Sequence, residues 1–144
     1  MSSTGLKVFD STLQQTHEWL NSVSAELSTD DRESAYSALR AALHALRDRI
    51  PVKAATEFGA QLPMLVRGFY YEGFNPAHTP EPERHKDEFL ASIADVYAKN
   101  NGLEPLKIAN AAFKTVNKFM TEGQIMQTRN MLNEEYRDEV WPKP

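Results

Sequence analysis

Slid against itself at an offset of 70 residues, the chain aligns Glu18–Tyr71 with Glu88–Trp141 without a gap, and this restricts its fold more than any other feature. Large apolar residues meet along the whole span: Trp19 with Phe89, Val23 with Ile93, Leu43 with Phe113, Leu46 with Val116, Ile50 with Met120, Leu62 with Leu132 and Tyr71 with Trp141. Identities are few, among them Glu18/Glu88, Leu20/Leu90, Ala41/Ala111, Ala42/Ala112 and Arg67/Arg137, so the case rests on the pattern. Two unrelated amphipathic helices keep such a register only in pieces; a duplicated helical unit keeps it throughout. Coincident helical periodicity is the alternative.

The order of elements follows from spacing and punctuation. Phe9, Leu13, Leu20, Val23 and Leu27, with Trp19 beside them, predict a first helix over 9–27, with Asp10, Ser11 and Thr12 available as caps. The run from Ser28 to Asp31 stops it, and Asp30 or Asp31 begins a second helix that reaches about Arg49. Tyr36, Leu39, Leu43, Leu46 and Ile50 put that helix's apolar face at spacings of three and four, so the face must be buried. Pro51 starts a short third helix through Phe58, and Pro63 a fourth over Met64–Tyr71, closed by Gly73. Prolines 76, 80 and 82 mark a semi-rigid linker.

The order then repeats, with a helix over Glu88–Lys99, a break at residues 100–102, a helix from Pro105 through Met120, a cap at Thr121, and helical structure over Gln124–Trp141. Asn133 stands where the first copy has Pro63, which predicts a less sharp division of the last two helices, or their merger. No stretch alternates with the period of a strand. The reading is all-α: two tandem helical repeats, about four helices each and some short, packed into one compact helical bundle. Repeat 1 spans 9–75, the proline-rich linker 76–87 and repeat 2 88–142.

Length and charge exclude several classes of function. A chain of 144 residues, 41% hydrophobic and 25% charged, suits one globular unit with a real core. A net charge of −4 gives no basic footprint, so neither nucleic acid nor an anionic membrane is expected as a partner. The absence of cysteine removes disulfides, thiol catalysis and thiolate metal sites. The N-terminus has neither the basic nor the apolar region of a signal peptide, and no apolar run reaches the ~18 residues of a membrane span. The expectation is a soluble, cytoplasmic protein.

The run LRAALHALRDRIPVKAATEFGAQLPMLVRGFYYEGFNP, with HEWL at 17–20 before it and DEFL at 87–90 after it, resembles the bacterial family catalogued as domain of unknown function 2267. The most specific pieces are ALRDR at 45–49, AQLP at 60–63 and RGFYYEG at 67–73, and the resemblance covers about Phe9 to Trp141. It implies a small helical bacterial protein without an assigned reaction, and it supplies no catalytic residues to carry over.

Two clusters carry the chemistry that the residues themselves suggest. Arg40, His44 and Arg47 share one stripe of the second helix and make a candidate anion site, because guanidinium forks grip carboxylates and phosphates. The alternative is a solvated stripe paired with Asp48 or with glutamates of a neighbouring helix. The second copy has Asn110, Lys114 and Asn117 at those positions, which confines any such site to the first half.

Arg67, Phe69, Tyr70, Tyr71 and Phe74 crowd one helical turn and its exit, and make a candidate interaction surface. The alternative is that they fill the seam between the halves and against the linker. His78 and His85, near Glu81 and Glu83, are too loosely held to predict a metal site. No nucleotide-binding, nucleophile-elbow or zinc-protease motif is present, so no catalytic residue, metal or cofactor is expected.

The function these readings favour is a non-enzymatic protein-interaction module that binds another protein or itself as a homodimer. The alternative is a small-molecule (anion) sensor or minor enzyme with a pocket between the halves.

Overall fold

The first two helices show how the sequence sets the architecture. Helix α1 (Lys7–Leu27) ends where Ser28 turns left-handed at φ 54°, so that the N–H groups of Ser28 and Thr29 reach back to the carbonyls of Ala25 and Ser24. Helix α2 (Arg32–Arg49) starts at the Asp31 cap, whose carboxylate accepts from the Glu33 N–H, and stops because Ile50, before Pro51, is extended. The computed structural model describes residues 2–81, 85–101 and 104–144. Pro82 and Gly102, which figure in the expected linker and helix break, and Glu83, set aside above as a metal ligand, lie outside them.

The remaining elements are α3 (Val52–Ala60), α4 (Met64–Tyr71), a 3₁₀ turn (Pro76–His78), α5 (Lys86–Asn101), α6 (Pro105–Phe119), α7 (Glu122–Arg129) and α8 (Arg137–Val140). Among the described residues there is no strand, and no helix is long and apolar enough to cross a membrane. The fold is all-α with compact helix packing.

Helix α2 occupies the centre, packed against α1, α3, α4, α5 and α6. Leu39, Leu43, Leu46 and Ile50 are fully buried, as are Ile108, Phe113 and Val116 of α6. Burying side chains of this size contributes about 1.5–3 kcal/mol each, so the faces that α2 and α6 bury are major sources of stability.

Four expectations need correction. Tyr36 is not on the buried face of α2: it is 38% exposed, one turn before Leu39, and its ring meets Phe69 edge-on at 5.2 Å. On α1 the buried line is Thr12, Thr16, Trp19, Val23 and Leu27, which leaves Phe9 exposed and Leu13 half-buried. Both hydroxyls have partners, Thr16 Oγ1 donating to the Thr12 carbonyl at 2.7 Å and Thr12 Oγ1 accepting from the Leu65 N–H of α4 at 2.9 Å, and so the two threonines sit where apolar residues were expected.

Helix α5 runs on through Asn100 and Asn101. Lastly, α7 and α8 do not merge. The Asn133 side chain accepts from the Glu135 N–H at 2.9 Å and its carbonyl accepts from Tyr136 and Arg137, so an Asx turn divides the helices where Pro63 does in the first half.

Candidate functional site

The stripe of α2 expected to hold an anion holds the C-terminus of α4 instead of open space. A helix ends with four carbonyls that lack intrahelical partners, and at the end of α4 the carbonyls of Phe69, Tyr70 and Glu72 are met from the side. His44 Nε2 donates to the Phe69 carbonyl at 2.6 Å. Arg47 Nη1 donates to the carbonyls of Tyr70 at 2.6 Å and Glu72 at 2.7 Å, while its Nε reaches Asp48 at 3.0 Å.

Arg40 Nε donates to the Glu72 carboxylate at 3.0 Å, and this ion pair holds Glu72 below the usual carboxylate range. Arg47 is only 5% exposed, and its guanidinium lies 5.5 Å from the Phe74 ring centre. Positive groups at a helix C-terminus also complement its dipole. Burial lowers the His44 pKa; the hydrogen bond to Phe69 opposes this, and the charges of Arg47 and Arg40 add to it.

The second half closes α8 from the same positions of α6. Asn110 Nδ2 donates to the carbonyls of Glu139 at 2.8 Å and Val140 at 3.0 Å, and Asn117 Nδ2 donates to Pro142 at 2.8 Å. The Trp141 indole N–H donates back to Asn117 Oδ1 at 2.7 Å. Arg129, 1% exposed, adds a bond from Nε to the Trp141 carbonyl at 2.8 Å and an ion pair with Asp138. Amides here and cations in the first half meet the same need, since backbone carbonyls accept from either.

The five aromatic-cluster residues are not all on one surface. Tyr70 is fully buried: its hydroxyl donates to the Ala55 carbonyl at 2.6 Å, its ring packs 5.7 Å from Phe58, and burial pushes its pKa far up. Its place on an interaction surface is corrected accordingly, because a phenol with a buried acceptor within reach loses nothing by leaving water. Phe58 in turn meets Trp141 edge-on at 6.2 Å, so Tyr70 belongs to the core that joins the halves. Arg67, Phe69, Tyr71 and Phe74 are half-buried, with Tyr71 and Phe74 rings 5.9 Å apart. His78 is exposed, and His85 is paired with Glu135 at 3.2 Å. Among the described residues no group of three acidic or histidine side chains is placed to hold a metal.

Sequence reasoning missed an apolar groove. A groove of ≈ 380 Å³ runs between α1 and α4, lined by Thr4, Phe9, Leu13, Met64, Leu65 and Gly68. Phe9 is 46% exposed, and Met64 and Leu65 are each 43% exposed. The edge of the groove is fixed by Thr12, whose Oγ1 accepts from the Leu65 N–H at 2.9 Å. The signal was legible as a second apolar line on each helix, Phe9 and Leu13 beside the buried Thr12–Thr16–Trp19 line, and Met64 and Leu65 opposite the buried Val66 and Tyr70.

A second cleft, ≈ 230 Å³ between α3 and α7, includes Lys53, Glu57, Gln124 and Gln127, but none of Arg40, His44 and Arg47.

The chain matches the family model described as "Uncharacterized conserved protein (DUF2267)" over residues 16–139. None of the curated proteins matches it.

Proposed function

This chain belongs to the DUF2267 family, and we propose that it works as a non-enzymatic protein-interaction module, bacterial and cytoplasmic, built from two tandem helical repeats. The observation that carries the reading is the open apolar groove between α1 and α4, a surface that water covers at a cost and a protein partner would cover at a gain. The polar residues best suited to chemistry are already occupied in closing α4.

Support for the duplication comes from the backbone. Ile50 and Met120, 70 residues apart, are both extended before the next helix, at φ −120° and −111° and ψ 158° and 162°.

The reading is tested by capture on immobilised protein, comparing the wild type with Leu65→Glu. A partner retained by the wild type and lost from the variant is expected. The anion reading is tested in parallel by thermal shift with inorganic phosphate and carboxylates, where a specific ligand would raise the melting temperature by mass action. No shift is expected; a saturable one, removed by Lys53→Ala or Arg40→Ala, would favour the sensor.

A further inference from the structure

We propose that the exposed line of α6 docks a short acidic segment of a protein partner. The proposal deepens the interaction-module reading and rests on it, but it uses a different face from the α1–α4 groove. Helix α6 is almost closed in: of its residues only Lys107, Lys114, Lys118 and Phe119 are exposed. At 3.6 residues per turn the three lysines fall within about 40° of arc, and they extend over about 16 Å of the helix. The helix contains no aspartate or glutamate. Among the described residues, the Lys107 and Lys114 ammonium groups have no ion pair or hydrogen bond, and Lys118 meets only the Phe119 ring, 5.7 Å from its centre.

Nothing in the fold asks for this arrangement. Lys114 and Lys118, four residues apart, repel each other on the helix surface. At the offset of 70 the first half has Ser37, His44 and Asp48, and there His44 closes α4 while Asp48 meets Arg47. In the second half Asn110 and Asn117 close the end of α8, which leaves Lys114 free. The result is a positive line on a chain of net charge −4, and its complement is negative. The acidic remainder of the chain repels a membrane or a duplex laid across it, whereas a segment of a few residues meets the lysines alone.

Fluorescence anisotropy of a labelled ten-residue glutamate peptide, titrated with the full chain at low salt, tests this. Saturable binding that weakens as salt is added is expected. Lys107→Gln/Lys114→Gln should raise the dissociation constant about fivefold or more, with unchanged helical circular dichroism. Lys7→Gln/Lys53→Gln, which removes the same charge from exposed positions elsewhere, should leave it within about twofold. Amide NMR spectra of the wild type should show the peptide shifting residues 107–118, a readout that needs no variant. Absence of binding, binding that both double variants weaken alike, or shifts confined to other helices would overturn the proposal. So would tighter binding of duplex DNA or of phosphatidylserine vesicles than of the peptide, since an extended anionic surface would then be the occupant. Failure here is separable from failure of the interaction module, which stands or falls on capture through Leu65.

Discussion

Arg47 shows at the scale of one residue why a basic stripe need not be a binding site. Its Nη1 alone donates to two backbone carbonyls at the end of α4 from a nearly closed position, while Nε holds Asp48, and truncation would strand both carbonyls. Arg47→Ala should cost about 1–3 kcal/mol by urea denaturation. Arg47→Lys should recover only part of this, because an ammonium placed at the two carbonyls leaves Asp48 without the donor that Nε supplies. An unchanged midpoint for the alanine variant would mean that water serves those carbonyls as well.

His44 adds a dependence on pH. Its pKa lies below the ordinary 6.5 in the folded chain, so the unfolded chain takes up the proton first on acidification. Its contribution is therefore complete above about pH 6.5 and is lost as pH falls from there through the folded pKa. His85, raised by its hydrogen bond to Glu135, acts in the opposite sense: its contribution is present below about pH 6.5 and lost as pH rises through its folded value. Midpoints between pH 5.5 and 8 should flatten on the acid side in His44→Gln. An identical acid slope in the variant would assign that loss to other groups.

At the scale of elements, two glycines in neighbouring helices offer a paired test. A Cβ on Gly59 of α3 would stand 2.8 Å from the ring of the buried Tyr70 and closer still to the Tyr71 hydroxyl, whereas one on Gly68 of α4 would meet open space. Gly68→Ala should therefore stabilise by up to about 1 kcal/mol through helix propensity, and Gly59→Ala should destabilise. Thermal unfolding of the two variants checks this, and equal effects would contradict the α3–α4 packing described.

The elements were also where the sequence was most legible. Asp31, Pro51 and Pro63 each act through a local conformational preference, so α2, α3 and α4 begin where reading predicts them. Long-range satisfaction was illegible. Nothing in the spacing of Arg40, His44 and Arg47 tells that the carbonyls of residues 69–72 lie opposite them. Thr12 and Thr16 hid the buried face of α1, because a threonine whose hydroxyl has a partner, within its own helix for Thr16 and on α4 for Thr12, packs like an apolar residue. Asn133 was weighed by helix propensity, while its side chain was making a turn.

The whole molecule depends on α2, whose contacts tie together helices from both ends of the chain. Leu46→Ala and Leu43→Ala, at fully buried positions, should each cost about 2–5 kcal/mol, read from chemical denaturation. Unaltered midpoints would contradict the central place of this helix. Around that core two surfaces differ: the Arg40–His44–Arg47 stripe closes α4 from within, and the α1–α4 groove is open and apolar.

Assigned amide NMR spectra, recorded on addition of phosphate, test that closure most directly. Phosphate should leave the amides of Arg40, His44 and Arg47 unmoved, because their side chains are occupied at the end of α4. Saturable phosphate shifts along the stripe would contradict this closure.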